Sequence, residues 1–226
     1  MSTQPLGVRY YPAALKLEGK DCLVVGAGPV AAEKIDGLVG AGASVTVIAR
    51  TVVPEVQALV DDATIRLELR SFHVGDLDGR FLAIAGTSDE ELNRRIHSAA
   101  DARNMLVNVV DVPSLCNFIL PAVTRLGPIA IAVSTSGASP ALAKRMRDEI
   151  EELFGDEHAR LAVLLNEVRD WARAELPTYQ HRKVFFDSIV LGDPDPIALL
   201  RTNGDEAVRA LIESRMRRAG SASAVA

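Results

Sequence analysis

Short apolar runs alternate with amphipathic segments along the first half of the chain. The apolar runs, which are rich in β-branched residues, predict buried strands at 21–25, 44–49, 64–69, 81–86 and 105–110. Apolar residues at helical spacing predict helices at 29–41, 51–61 and 88–103. Ser88 and Glu91 match a capping box that would open the last of these helices. Five strands in about ninety residues, joined by short helices, are typical of a parallel α/β sheet.

The pattern changes after Asp111. Strand-like runs at 116–123 and 128–133 are separated by four residues, which favours a β-hairpin. A polar loop of small residues at 134–140 then leads into a strongly helical stretch at 141–154. The rest of the chain is predicted to be mostly helical, with breaks at the following residues: Pro177, Gly192, Pro194 and Gly204.

Composition and charge exclude several classes of protein. The chain has 226 residues, of which 48% are hydrophobic, and its net charge is −5. It has no apolar run of 18 residues and no evident secretory signal, so neither a membrane partner nor secretion is expected. Acidic charge and an aromatic content of 4% argue against a nucleic-acid partner. Two isolated cysteines, Cys22 and Cys116, exclude a disulfide scaffold, and we expect a cytoplasmic protein.

The turn after the first predicted strand carries the clearest chemical signal. Residues 26–31, GAGPVA, match GxGxxA between a strand and a helix, which is the context that a dinucleotide-binding turn requires. Gly26 permits the tight turn, Gly28 lets the backbone approach a pyrophosphate, and Ala31 keeps the helix close to the sheet. The helix N-terminus supplies oriented N–H groups for the phosphates. The alternative is a glycine-rich turn that binds nothing.

Two further strand ends carry candidate residues. The second strand ends at Arg50 and Thr51, where an acidic residue would mark an NAD site. Arg50 suits a 2′-phosphate, and hence NADP, or is a solvated surface residue, so the choice between NAD and NADP stays open. Asp111 follows the fifth strand, at the edge where parallel sheets bind ligands, and is a candidate general base or a turn residue.

Four separated stretches together resemble the siroheme synthase N-terminal family, the precorrin-2 dehydrogenases, some of which are also sirohydrochlorin ferrochelatases. The resemblance runs from Tyr11 to Glu152 and rests on LVVGAGPVAAEKIDGL, FLAIAGTSDEELNRRI, VNVVDVPSLCNFILPA and IAVSTSGASPALAKRMR. It implies a homodimer that oxidises precorrin-2 to sirohydrochlorin with NAD and that, in some members, also takes Fe²⁺ as a substrate. The same resemblance favours NAD over NADP despite Arg50.

The resemblance also implies roles for individual residues. Asp111 matches the aspartate of the family's NVVD motif and is expected to act as the base. The expected cofactor contacts are Pro29 and Val30 at the phosphates, Arg50 and Thr51 at the adenosine ribose, and Thr87 on the nicotinamide side.

A second group of residues is expected to bind the carboxylates of the tetrapyrrole. The polar loop resembles the family's substrate loop, and basic residues follow it within two helical turns. The predicted substrate-binding residues are Asn117, Ser134, Thr135, Ser136, Ser139, Lys144 and Arg145. Two alternatives stay open: the basic residues, including Arg147, pair with acidic neighbours on their own helix, and Asn117 serves the hairpin.

Pattern and resemblance together predict the domain organisation. We expect a Rossmann-type NAD-binding domain at 1–112, a middle α+β segment for dimerisation and substrate binding at 113–152, a helical domain at 153–218 and a disordered tail at 219–226.

The four histidines are scattered, so no metal site built from protein ligands is expected. Any inserted iron would then be bound by the tetrapyrrole itself. Iron insertion stays open, and so does a different class of function, in which the chain is an NAD(H)-binding regulatory module without turnover.

Overall fold

The computed structural model describes residues 10–223 and consists of two compact units. The first unit reaches Leu120 and the second begins at Pro121. Residues 1–9, on which the expected lack of a secretory signal partly rests, and residues 224–226, the end of the predicted tail, lie outside the described residues. No helix within residues 10–223 combines the length and apolar character needed to cross a membrane.

The first unit is a parallel five-stranded sheet. Its strands are β1 (Asp21–Val25), β2 (Ser44–Ala49), β3 (Arg66–Leu69), β4 (Leu82–Ala85) and β5 (Leu106–Val109). Its α-helices are α1 (Pro29–Gly40), α2 (Pro54–Asp61) and α3 (Glu90–Asp101), and short 3₁₀ turns lie at Val74–Leu77 and Pro113–Leu115. The strand order β3-β2-β1-β4-β5 confirms the predicted parallel α/β sheet. The order reverses between β1 and β4, which is where such sheets open a ligand crevice.

Both faces of this sheet are buried. In β1, Val24 packs on one face with Ile35 of α1, and the next residue, Val25, packs on the other face with Ile96 of α3. Successive strand residues point to opposite faces, so a strand covered on both sides is mostly apolar. The continuous apolar runs in the sequence therefore reflect three layers: helix, sheet and helix.

The structure corrects several predicted boundaries in this unit. Helix α3 begins at Glu90, and the Asp89 side chain caps it by accepting from the Leu92 amide at 3.0 Å, so the predicted capping box of Ser88 and Glu91 is wrong. A carboxylate placed next to the first helical residue is a strong cap for an α-helix, and it sets the start one residue later. Helix α2 starts at Pro54 rather than at residue 51, since proline favours the first helical position.

The second unit joins a β-hairpin to a helical bundle. Its elements are β6 (Ala122–Leu126), β7 (Ile129–Val133), α4 (Pro140–Leu153), α5 (Asp156–Glu167), α6 (Arg169–Glu175), α7 (Tyr179–Val190) and α8 (Pro196–Ser223). The hairpin is confirmed as an antiparallel pair, although it turns at residues 127 and 128, where Gly127 adopts a φ of 54°. Helix α8 is broken at Gly204, whose φ of 78° is not helical, as the sequence predicts.

Three boundaries in the later part of the chain differ from those predicted. The strand predicted from residue 116 begins at Ala122, because residues 116–118 instead bind along the free edge of β5. The first compact unit consequently extends beyond the predicted boundary at 112 and ends at Leu120. The predicted disordered tail is helical as far as Ser223, since alanine and serine at 219–223 continue α8 without a helix breaker other than Gly220.

Candidate functional site

The strand ends that the sequence singles out lie at one edge of the sheet. Because β1, β2, β4 and β5 are parallel neighbours, the residues that follow them share the carboxyl edge. Gly26 follows β1, Arg50 follows β2, Gly86 follows β4, and the turn with Asp111 follows β5. Adjacent strands are about 4.8 Å apart, so β5 lies roughly 10 Å from β1 across β4. This edge, within the first unit, is the candidate cofactor site.

Gly26 is required by the fold itself. Its φ is 106°, and its amide donates to the Ile48 carbonyl at 2.8 Å, which ties the turn to β2. A Cβ at Gly26 would lie 2.4 Å from the carbonyl oxygen of Gly86, well inside van der Waals contact. The sequence identifies Gly26 correctly as the residue of the tight turn. It does not identify Gly86, although a glycine directly after an apolar strand is a signal for close backbone approach.

Gly28 is not required by any packing contact in the described part of the chain. It is the N-cap of α1, and a Cβ built on it would meet nothing within 4 Å. No side chain caps α1, no acidic residue lies in its first turn, and Pro29 has no N–H. The amides of Val30 and Ala31 are therefore the first N–H groups of the helix, and the space beside Gly28 suits the anion that such groups bind. These features fit the pyrophosphate of a dinucleotide.

Ala31 keeps the start of α1 against the sheet. It is fully buried, and a Cβ on Gly86 would lie only 3.3 Å from the Ala31 Cβ. A larger side chain at Ala31 would push the helix away from β4 and from the turn. Val30, by contrast, is 47% exposed, so an apolar side chain faces outward beside the anion-binding amides.

The loop after β2 lies against the glycine-rich turn. The Val53 amide donates to the Ala27 carbonyl at 3.1 Å, which brings the Arg50–Thr51 segment next to the first turn. Arg50 and Thr51 are both exposed. Residues 50–53 include no carboxylate, and Arg50 has no hydrogen bond or ion pair within the described residues. The loop fits a position beside the adenosine ribose without deciding between a 2′-hydroxyl and a 2′-phosphate.

The Thr87 hydroxyl has a structural role that the sequence does not predict. It donates to the Asn93 Oδ1 at 2.7 Å, and Asn93 Nδ2 donates back to the Thr87 carbonyl at 2.9 Å. Asn93 is only 5% exposed, so this pair fixes the start of α3. The Thr87 methyl group lies toward Gly26, 3.3 Å from the position of a Cβ there. A contact between Thr87 and the nicotinamide stays a prediction, and it would involve this methyl group rather than the hydroxyl.

Asp111 lies in a turn at the end of β5. The Val112 amide donates to the Val109 carbonyl at 3.2 Å, and Asp111, the third residue of this turn, has a φ of 60°. Aspartate tolerates this left-handed conformation better than most residues do. The carboxylate is exposed and has no hydrogen-bond or ion-pair partner among residues 10–223. It is therefore available to a ligand, as a base requires.

Asn117 has a structural role at the edge of the sheet. Its Oδ1 accepts from the Val107 amide at 2.8 Å, and its Nδ2 donates to the Met105 carbonyl at 2.8 Å. The side chain thus pairs with the free edge of β5 as a strand would. The exposed side-chain amide keeps one N–H, so the contact with a substrate carboxylate stays a prediction.

The polar loop in the second unit uses most of its hydroxyls internally. Thr135 Oγ1 accepts from the Ser139 amide at 3.0 Å, Ser134 Oγ accepts from the Ser136 amide at 3.1 Å, and Ser139 Oγ caps α4 through the Leu142 amide at 3.2 Å. Ser136 has a φ of 53°. The side chains predicted to bind substrate therefore first shape the loop, and each hydroxyl keeps some remaining capacity for a ligand.

The basic residues of α4 differ in their pairing. Arg145 Nε is 2.7 Å from Glu149 Oε1, and Arg147 pairs with Asp148, which is the alternative that the sequence leaves open. The Glu149 carboxylate raises the pKa of the Arg145 guanidinium further. Lys144 is exposed and has no ion-pair partner within residues 10–220. It is therefore the better candidate for an anionic ligand.

The described residues include no group of three His, Cys, Asp or Glu side chains that could hold a metal ion. Cys22 and Cys116 are free thiols, and burial raises the pKa of Cys22 to about 11.

Comparison with protein families identifies the chain. The NAD(P)-binding family model matches residues 13–122, and the model of the sirohaem biosynthesis protein central region matches residues 127–153. Together the two models cover more than half of the chain. This chain belongs to the siroheme synthase N-terminal family. The family match and the geometry at α1 agree on a nicotinamide dinucleotide as the cofactor.

Curated relatives in this family are longer than the chain. Siroheme synthase of Methylobacillus flagellatus is 39% identical over 181 residues, which are 80% of this chain and 39% of the relative. Siroheme synthase of Thioalkalivibrio sulfidiphilus is 38% identical over 208 residues, which are 92% of this chain and 42% of the relative. The chain therefore spans about two fifths of the length of the curated relatives it matches.

The chain is also similar to a solved structure, and the match covers the whole length of that structure. It is the precorrin-2 dehydrogenase SirC, with a TM-score of 0.73 and 25% identity, and the match covers 91% of this chain and 100% of SirC. The similarity extends from the parallel sheet into the hairpin and the C-terminal helices, which confirms the predicted fold class.

Proposed function

We propose that this chain oxidises precorrin-2 to sirohydrochlorin with NAD⁺. The observation that carries the proposal is the juxtaposition at one sheet edge of an uncapped helix N-terminus beside Gly28 and an exposed, unpartnered Asp111 within the described first unit. The first feature suits a dinucleotide and the second suits a base. The structural neighbour SirC is a precorrin-2 dehydrogenase.

The reaction removes two electrons and two hydrogens from the tetrapyrrole, one as a hydride and one as a proton. The nicotinamide ring, when bound, supplies the acceptor for the hydride. The Asp111 carboxylate accepts the proton and becomes a carboxylic acid, which then releases the proton to water. The Asp111 side chain is exposed and therefore accessible to a substrate.

The chain's own residues hold the cofactor in this proposal. The Val30 and Ala31 amides donate to the pyrophosphate, and Gly28 leaves room for it. Arg50 and Thr51 lie beside the adenosine ribose, and the Thr87 methyl group lies on the nicotinamide side. NAD⁺ is proposed over NADP⁺ from the resemblance to the family, although the loop after β2 would admit either.

The loop at 134–139 and Lys144 are proposed to bind carboxylates of the tetrapyrrole. Hydroxyls and amides at the start of α4 favour an anion, and Lys144 adds a positive charge within two turns. We also propose a homodimer, as the resemblance implies. Exposed apolar side chains on α4 support an interface on the middle segment, and they are Leu142, Met146 and Leu153.

An anaerobic assay of the purified chain tests the proposed function. Precorrin-2 is incubated with NAD⁺, with NADP⁺ or without a cofactor, and the absorption spectrum of sirohydrochlorin is followed. Turnover with NAD⁺ supports the proposal. Binding of NAD(H) without any product would instead indicate a regulatory module. A parallel incubation of sirohydrochlorin with Fe²⁺ and no NAD⁺ decides whether the chain also inserts iron.

Lys144→Gln is expected to raise the KM for precorrin-2 about two- to fivefold, since one exposed charge pair is worth roughly 0.2–1 kcal/mol. Arg145→Gln is the matched control and should have a smaller effect, because Glu149 already neutralises that guanidinium. Steady-state kinetics at low and high salt measure the KM of both variants. The increase in KM caused by Lys144→Gln should become smaller as the salt concentration rises. Equal effects of the two substitutions would contradict a specific role for Lys144.

A further inference from the structure

The turn that carries Asp111 is bridged by one sulfur atom. Cys116 Sγ lies 3.2 Å from the Val109 amide nitrogen and 3.3 Å from the Val112 carbonyl oxygen. Val109 and Val112 are the first and last residues of the turn, so the thiol contacts both ends of it. The Val112 amide also donates to the Val109 carbonyl at 3.2 Å. Within the described chain, this is the only other hydrogen bond that joins the two ends of the turn.

The protonation state of the thiol suits this bridge. Burial raises the pKa of Cys116, so the sulfur carries its proton at neutral pH. The S–H donates to the carbonyl oxygen of Val112 or to that of Val109, which is 3.2 Å away, while the sulfur accepts from the Val109 amide. Each sulfur hydrogen bond is weak, but a left-handed aspartate costs energy to hold, so small contributions matter here.

The backbone on either side of Cys116 is itself fixed to β5. The Asn117 side chain pairs with the backbone of Met105 and Val107. One residue further on, the Phe118 carbonyl accepts from Asn108 Nδ2 at 3.0 Å. These contacts place the cysteine at a defined distance from the strand. The sulfur therefore links the turn to a rigid strand edge, in addition to the bond from the Val110 amide to the Ala85 carbonyl at 2.9 Å.

We propose that Cys116 is a positioning residue for Asp111, which holds the Val109–Val112 turn so that the carboxylate stays in place to receive the proton. The proposal rests on the proposed function for its catalytic consequence. It assigns Cys116 no direct contact with the substrate, the cofactor or the transferred proton.

Three variants test the proposal. Cys116→Ala is expected to lower kcat roughly 10- to 100-fold, because a displacement of about 1 Å at a reacting group costs rates of that order. The KM for precorrin-2 and the affinity for NAD⁺ should stay within about twofold, because Cys116 does not touch either ligand. Cys116→Ser, which keeps a donor and an acceptor, should restore kcat to within roughly fivefold of the wild type. Cys22→Ala is the matched control, since this buried thiol lies at the amino end of the central strand β1, away from the carboxyl ends of the strands.

The control separates positioning from stability. Cys22→Ala should lower the melting temperature at least as much as Cys116→Ala does, while its kcat remains that of the wild type. In an Asp111→Asn background, Cys116→Ala should cause no further loss of kcat, because both substitutions remove the same contribution. A wild-type kcat in Cys116→Ala, an unrescued Cys116→Ser, or fully multiplicative losses with Asp111→Asn would each overturn the proposal.

Hydrogen exchange gives a readout that does not depend on turnover. The amides of Val109 and Val112 should exchange faster in Cys116→Ala and at the wild-type rate in Cys22→Ala, measured on peptides that span 106–113. If the wild-type chain binds NAD⁺ but never oxidises precorrin-2, the proposed function fails, and this exchange still decides whether Cys116 holds the turn. Unchanged exchange at both amides would overturn the positioning role itself.

Discussion

Asp111→Asn is expected to lower kcat for precorrin-2 oxidation by roughly 10²- to 10⁴-fold, the range that a positioned general base contributes. The substitution keeps the shape of the side chain but removes the carboxylate that accepts the proton. Binding of NAD⁺ should stay within about twofold, because the proposed pyrophosphate position at α1 follows β1, two strands away from β5. Single-turnover kinetics under anaerobic conditions measure the loss directly, and titration of NADH fluorescence measures cofactor binding.

The choice of asparagine matters because of the backbone. Asp111 has a φ of 60°, a conformation that asparagine also tolerates but that strains alanine by about 1 kcal/mol. Asp111→Ala would therefore disturb the turn and the carboxylate together. Asp36→Asn is the matched control, since Asp36 is an exposed carboxylate on α1 away from the strand ends and its loss changes the net charge equally. A full kcat in Asp111→Asn would remove this residue from the proposed mechanism.

The sequence predicts those parts of the site that depend on residues close to one another along the chain. GAGPVA forms a tight turn because a glycine with positive φ must follow β1 and a helix must begin directly afterwards, and both requirements are local. The apolar runs predict the strands because a sheet covered on both faces leaves few places for polar residues such as Thr46 and Asn108. Position after a strand is enough to predict that Asp111 lies at the carboxyl edge.

The parts that the sequence does not predict depend on contacts between distant side chains. Asn117 is polar and follows a strand end, which is equally consistent with a ligand and with a strand edge that lacks a partner. Only the order of the strands shows that β5 is an edge strand with backbone groups to satisfy. Thr87 likewise pairs with Asn93 six residues later. A buried asparagine on the apolar face of α3 was the one signal available for that pair.

The two glycines of the nucleotide turn should respond in opposite ways to substitution. Gly28→Asp is expected to weaken NAD⁺ binding by at least about 100-fold, or roughly 2.7 kcal/mol, because a carboxylate would occupy the amides meant for the pyrophosphate and repel it. The folded state should lose no stability, because aspartate is a favoured N-cap and its Cβ meets nothing within 4 Å. The variant should therefore melt at or slightly above the wild-type temperature while failing to bind the cofactor.

Gly26→Ala is the contrasting substitution. Its Cβ would lie 2.4 Å from the Gly86 carbonyl oxygen, at a φ of 106°, so we expect a loss of unfolding free energy of about 3 kcal/mol or more. Gly28→Ser separates occupation of the amides from charge repulsion at Gly28, since serine also caps a helix but carries no charge. The Gly28→Ser variant should therefore bind NAD⁺ better than Gly28→Asp does. Calorimetric titration and thermal melts measure each variant. Wild-type affinity in Gly28→Asp would show that the pyrophosphate does not lie at the start of α1, because no anion could share those amides with a carboxylate.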